Sequence, residues 1–204
     1  MGAFYTNITL QTSDLKSLIT QMKKKKRNGY ILTVSNRFTV LYDQGIEDQN
    51  AAMIENLSSE ISERLACAAF TVLVHDSDVF AYWLYQNGKL IDEYNSDPTY
   101  FDNSVNKTSY GGNAQQLCHI FDVPERAEQV SKIFQRVKKG IIEDSWDGGY
   151  LNGGDIHREL ATALRLPINV AVAGYYAIEG GFLSDDFPKD KLIQIHKSSR
   201  WRNR

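Results

Sequence analysis

Excess positive charge, long apolar runs and cysteine are all scarce in this sequence, and each shortage removes a class of function. The 23 Lys and Arg are balanced by 25 Asp and Glu, leaving a net charge of -2, so no global field draws the chain to nucleic acid or anionic lipid. Nowhere do 18 uncharged apolar residues follow one another, so no membrane-spanning helix is expected. The opening "MGAFYTNITLQTSDLK" has no basic flank followed by an apolar run and a small-residue cleavage site, so secretion is not expected either. Met-Gly-x-x-x-Thr satisfies the short acylation pattern formally and carries little weight alone. Cys67 and Cys118 are too few for a disulfide-stapled scaffold or a four-cysteine metal site. Both are read as reduced, buried thiols in a cytoplasmic protein.

The common catalytic fingerprints are missing as well. There is no Gly-x-Ser-x-Gly elbow, phosphate-binding loop or dinucleotide fingerprint. His75, His119, His157 and His196 are scattered, and no two have zinc-ligand spacing. Cys118 adjoins His119, but neighbours on a helix point about 100° apart, which does not pair a thiolate with a base. It falls instead on an apolar stripe with Ala114, Leu117 and Phe121.

What the sequence does have is alternation between strand and helix patterns. "MGAFYTNITL" reads as a strand, and Thr12, Ser13 or Asp14 can cap a helix carrying Leu15, Leu18, Ile19 and Met22 at helical spacing. That helix ends in "KKKKRNG", with cations at the negative end of its dipole and Asn28 and Gly29 expected to take the left-handed cap. A hairpin follows over "GYILTVSNRFTVLYD", then a second amphipathic helix with Met53, Ile54, Leu57, Ile61 and Leu65 on its stripe. "CAAFTVLVHDSDVFAYWLYQNGKLIDEY" gives three strands, the last two joined at Asn87-Gly88, where a type I′ turn fits. The expected fold class is α+β, a mainly antiparallel sheet whose β-α-β-β-α-β-β-β N-terminal part (1–110) follows the ferredoxin-like plan, covered by a helical C-terminal part (111–204) in one integrated domain.

In "VFAYWLY" both faces are apolar: Phe80, Tyr82 and Leu84 on one, Val79, Ala81, Trp83 and Tyr85 on the other. The N-terminal helices are expected to cover one face. C-terminal helices at "NAQQLCHIF", "PERAEQVSKIFQRVKKG" and "DIHRELATAL" are expected to cover the other, taken to be that of Trp83. "HRELATALRLPINVAVAGYYAIEGG" resembles a helix-turn-helix in its Glu-Leu-Ala-x-x-Leu opening. Its second half is small and apolar where base readout needs Arg, Lys, Asn or Gln, so a buried helix is expected there.

Two functional readings remain. The 11 Tyr, 9 Phe and 3 Trp suit a non-catalytic module that binds another protein, as an inhibitor, immunity-type or adaptor protein does. Tyr and Trp bury area at low entropic cost and keep a polar tip. Tyr110, Trp146, Tyr150, Tyr175 and Tyr176 are the candidate contacts, in or near the glycine-rich "SYGGN" and "DGGYLNGGD" and the tyrosine pair. No cofactor is implied. The alternative is a metal-dependent hydrolase or nuclease using the acids of 76–97, with Asp76, Asp78 and Asp92 as ligands. Against it, "HDSD" lies where a turn is required, and Asp92 and Glu93 are neighbours that must face opposite ways on a strand. Nucleic-acid binding through "KKKKR" or "KSSRWRNR" ranks last.

Overall fold

The computed structural model describes residues 2–101, 109–138 and 152–196. β1 (Tyr5–Leu10) is buried along its whole length. α1 (Leu15–Lys24) is capped by Asp14, which accepts from the Ser17 amide at 3.0 Å. Its exit differs from expectation. Lys26, not Asn28 or Gly29, adopts positive φ (53°), and the Arg27 amide closes back on the Met22 carbonyl at 3.1 Å. Gly29 instead opens β2 (Gly29–Thr33), where an added Cβ would stand 2.7 Å from the Tyr42 carbonyl oxygen. Within the basic run, Arg27 is forked onto buried Asp43 and Lys25 is paired with Glu60, while Lys23, Lys24 and Lys26 are exposed.

β3 (Thr39–Asp43) leads into a one-turn helix, α2 (Gln44–Glu47), and positive φ at Gln49 separates it from α3 (Ala51–Arg64). Asn50 caps α3 at the Met53 amide, so Met53 sits in the first turn, 43% exposed, rather than in the buried stripe. β4 (Ala68–His75), β5 (Val79–Gln86) and β6 (Lys89–Asn95) follow. Asn87 and Gly88 have φ of 50° and 79° between the paired Gln86 and Lys89, which makes the two-residue I′ turn.

Together with β7 (Tyr110–Gly111) and β8 (Ile193–Ile195), these strands form one eight-stranded antiparallel sheet in the order β7-β6-β5-β4-β1-β3-β2-β8. The C-terminal part is therefore not purely helical, since β8 returns to pair with β2. On one face α1 and α3 cover Ile8, Leu10, Ile31, Leu41, Ala69 and Leu73. On the other, α4 (Ala114–Ile120), α5 (Ala127–Lys138) and α6 (Gly153–Ala163) bury Phe70, Val72, Phe80, Tyr82, Leu84 and Tyr94.

Both faces of β5 are thus covered, but the other way round from expectation: Phe80, Tyr82 and Leu84 lie under the C-terminal helices, and Trp83 and Tyr85 on the α3 side. The reason is the register. Phe70, Tyr82 and Tyr94 share one face across three strands and offer the larger aromatic layer to the larger helical cover. The helix expected over "VAVAGYYAI" is split into α7 (Ile168–Ala171) and α8 (Tyr175–Glu179). Gly174 between them is extended, with Glu47 so close that a Cβ would meet its Oε1 at 2.2 Å. No helix among the described residues is long and apolar enough to cross a membrane.

Candidate binding surface

Side chains paired directly across an antiparallel sheet share a face, and alternate residues along a strand return to it. Here His75 pairs with Val79, Trp83 with Glu93, Ala81 with Asn95, and Asn95 with Tyr110. His75, Trp83, Tyr85, Glu93 and Tyr110 therefore all lie on the face that carries α3. The helix does not reach all of it: Trp83 and Glu93 are half-buried and Tyr110 is 45% exposed. At one end of this face the His75 ring is ringed by Phe4, Tyr100 and Phe101, with centroids at 5.0, 5.4 and 4.9 Å. Those three neighbours are themselves 46%, 41% and 60% exposed. Isolated exposed apolar residues are ordinary, but four rings in contact at a surface are not.

His75 is held firmly. The Gln49 side-chain amide donates to the carbonyls of Val74 (2.8 Å) and Tyr5 (3.3 Å), which turns its oxygen toward His75 Nδ1 at 2.7 Å. Nδ1 is then the donor to that oxygen. At the other end, burial raises the Glu93 carboxyl, with Glu55 and Asp92 adding repulsion. Tyr85 and Tyr110 are raised in the same way, by burial and then by Glu55 and Glu93. Neither Glu55 nor Glu93 has an ion-pair partner among the described residues.

No family model, curated protein or solved structure matches this chain. The surface must be read from its own chemistry.

Of the residues expected from sequence, Tyr110 belongs to this surface, while Trp146 and Tyr150 lie outside the described residues. Tyr175 is 6% exposed and packs on Tyr30 at 5.5 Å; Tyr176 is 47% exposed and donates to Asp48. Tyr30 is in β2, six strands from β7, so at about 4.8 Å per strand the tyrosine pair is roughly 29 Å from Tyr110. Sequence patterning alone does not mark Phe4, His75, Trp83, Tyr100 or Phe101 as binding residues. The alternation in β5 places Trp83 in a covered core, and the others meet only once β1, β4 and the segment after β6 are aligned.

The acids do not converge. Asp76 is in the β4–β5 turn with φ of 48°, and its Oδ1 accepts from the Gly2 amide. Asp92 pairs with Leu84, five residues along β5 from Val79, roughly 17 Å away at about 3.3 Å per residue. Its Oδ2 takes the Tyr82 hydroxyl and the Asn113 amide. Asp92 does border a cleft of about 730 Å³ whose other carboxylate, Glu128, is tied to Lys132 at 2.7 Å. Among the described residues no group of three His, Cys, Asp or Glu is placed to hold a metal ion.

The deeply buried polar groups serve the fold. Tyr5 and His157 share a hydrogen bond of 2.7 Å beneath α6, and burial takes His157 down to about 3, so the ring is neutral. Asn7 donates to the carbonyls of Ala171 and Ala173, tying the α7–α8 link to β1. Glu47 accepts from the amides of Thr6 (3.2 Å) and Tyr176 (3.5 Å), and burial pushes its carboxyl up to about 7 despite those donors. Cys67 and Cys118 are free and buried, and burial raises both thiols, Cys67 to about 11.

Proposed function

We propose that this chain is a non-catalytic protein-binding module of the inhibitor, immunity or adaptor kind, acting in the cytoplasm as one integrated unit. The observation that carries this reading is the contact cluster of Phe4, His75, Tyr100 and Phe101 at the surface. An aromatic side chain buries about 150–250 Å². With Phe101 60% exposed, a partner covering it gains about 3 kcal/mol of gross transfer energy at ~25 cal/mol per Å². His75 supplies a fixed polar atom within the cluster, as binding surfaces use to set orientation. The shared core of Phe80, Tyr82, Leu117, Phe134 and Leu160 supports the single unit, and two free thiols suit a reducing compartment. The β4-β1-β3-β2 order of the first four strands supports a ferredoxin-like plan for the N-terminal part.

The test is reconstitution. Proteins captured by the immobilised chain are identified, purified and remixed with it, and one is expected to re-form a complex that Phe101→Ser weakens at least tenfold without changing the melting temperature. Remixing that fails for every captured protein, or that ignores Phe101→Ser, overturns the reading.

A further inference from the structure

We propose that the strip formed by Trp83, Glu93, Tyr110 and Glu55 receives an arginine- or lysine-bearing segment of the partner, an inference that rests on the protein-binding reading. Position comes first. Trp83 and Glu93 are directly paired across β5 and β6, and Tyr110 is one step diagonal to Glu93 through its partner Asn95. α3 packs against β5 and β6 from the same side and carries exposed Glu55. Leu90, paired with Tyr85 and 45% exposed, extends the strip toward the hairpin.

Charge then selects the occupant. Among the described residues, the ionised groups acting on Glu93, Tyr85 and Tyr110 are Glu55, Glu93 and Asp92, and no cation is among them. Of the cations at the end of α1, Lys25 is engaged by Glu60 and Arg27 by Asp43. A carboxylate held half-buried beside a second carboxylate and two aromatic rings is poorly compensated as it stands. A guanidinium or ammonium meets both needs: it neutralises the carboxylates and lies over the faces of Trp83 and Tyr110, where ring quadrupoles attract it. A phosphate backbone would be repelled by the same groups, so a protein segment is the fitting occupant.

The experiment uses the full chain with Trp146→Phe and Trp201→Phe, leaving Trp83 as the sole tryptophan. It is titrated with a dodecapeptide of alternating Arg and Ser, and separately with its Glu-Ser counterpart. The cationic peptide is expected to change Trp83 emission saturably and the acidic one to leave it unchanged. Glu55→Gln with Glu93→Gln is expected to weaken binding at least tenfold, while Glu128→Gln, on α5 across the sheet, does not. No saturable change, an equal response to the acidic peptide, or indifference to the paired substitutions overturns the assignment. A reconstituted partner that is lost with Phe101→Ser but binds normally to the Glu55/Glu93 double variant overturns this inference alone. Absence of any reconstituted partner sinks the binding reading instead.

Discussion

Glu47 gives the fold a pH dependence that one substitution should remove. Its carboxyl is 1% exposed, with Asp48 the charged neighbour acting on it. The folded group protonates near pH 7, the unfolded one near its ordinary 4.5. At about 1.4 kcal/mol for each pH unit between those values, ionising Glu47 costs the folded state about 3 kcal/mol. Because the folded pKa is the higher one, the favourable contribution is complete below about pH 4.5 and is lost as pH rises through about 7. Glu47→Gln cannot ionise, but it offers one oxygen where the amides of Thr6 and Tyr176 use two. It should therefore lose about 1–3 kcal/mol at every pH to an unsatisfied donor. Urea unfolding of both proteins at pH 5 and pH 8 reads the difference. Wild type should be the more stable at pH 5, and the gap should close or reverse by pH 8. Parallel stability across that range would mean that Glu47 is not a buried titrating acid, and the packing of α2 against β1 and α8 would have to be redrawn.

Other outcomes follow from local geometry. Gly88→Val should destabilise by about 1 kcal/mol or more, because φ is 79° and a Cβ would meet that of Glu63 at 2.9 Å; an unchanged melting temperature would contradict the I′ turn. Cys67 and Cys118 should label slowly with a thiol reagent until the protein is denatured, since burial raises both; rapid native labelling of Cys118 would reopen a nucleophilic role. Millimolar Mg²⁺, Mn²⁺ or Ca²⁺ should leave thermal stability nearly unchanged, and a saturable increase abolished by Asp92→Ala would favour the hydrolase alternative.

Much of the fold was legible because it is written in short-range patterns. Positive φ at Asn87-Gly88, the Leu15–Met22 stripe and the double apolar face of β5 are each fixed within a dozen residues. Which helix covers which face of β5 is not, because it depends on how Phe70, Tyr82 and Tyr94 align across strands. The Lys26 cap escaped because propensity pointed to Asn28-Gly29, whereas the close approach of the Tyr42 carbonyl keeps Gly29 in β2. β8 has only three residues, too few for alternation to speak. The helix over "VAVAGYYAI" broke because Asn7 and Glu47 draw its middle onto β1. The candidate surface was the least legible part. Phe4, His75 and Phe101 span nearly 100 residues of chain, and of this surface only Tyr110 stands in a segment whose glycines mark it in the sequence.

The most direct test of the central claim places a photo-crosslinking benzoylphenylalanine at position 101 of the full chain, in its native cells. The control carries it at Phe182, which is 84% exposed, follows α8 and makes none of the ring contacts of the His75 cluster. A docking surface around His75 predicts a discrete adduct with one protein from position 101, absent from position 182 and lost when Tyr100→Ser and Phe4→Ser are added. No adduct from position 101, or the same adducts from both positions, would contradict it.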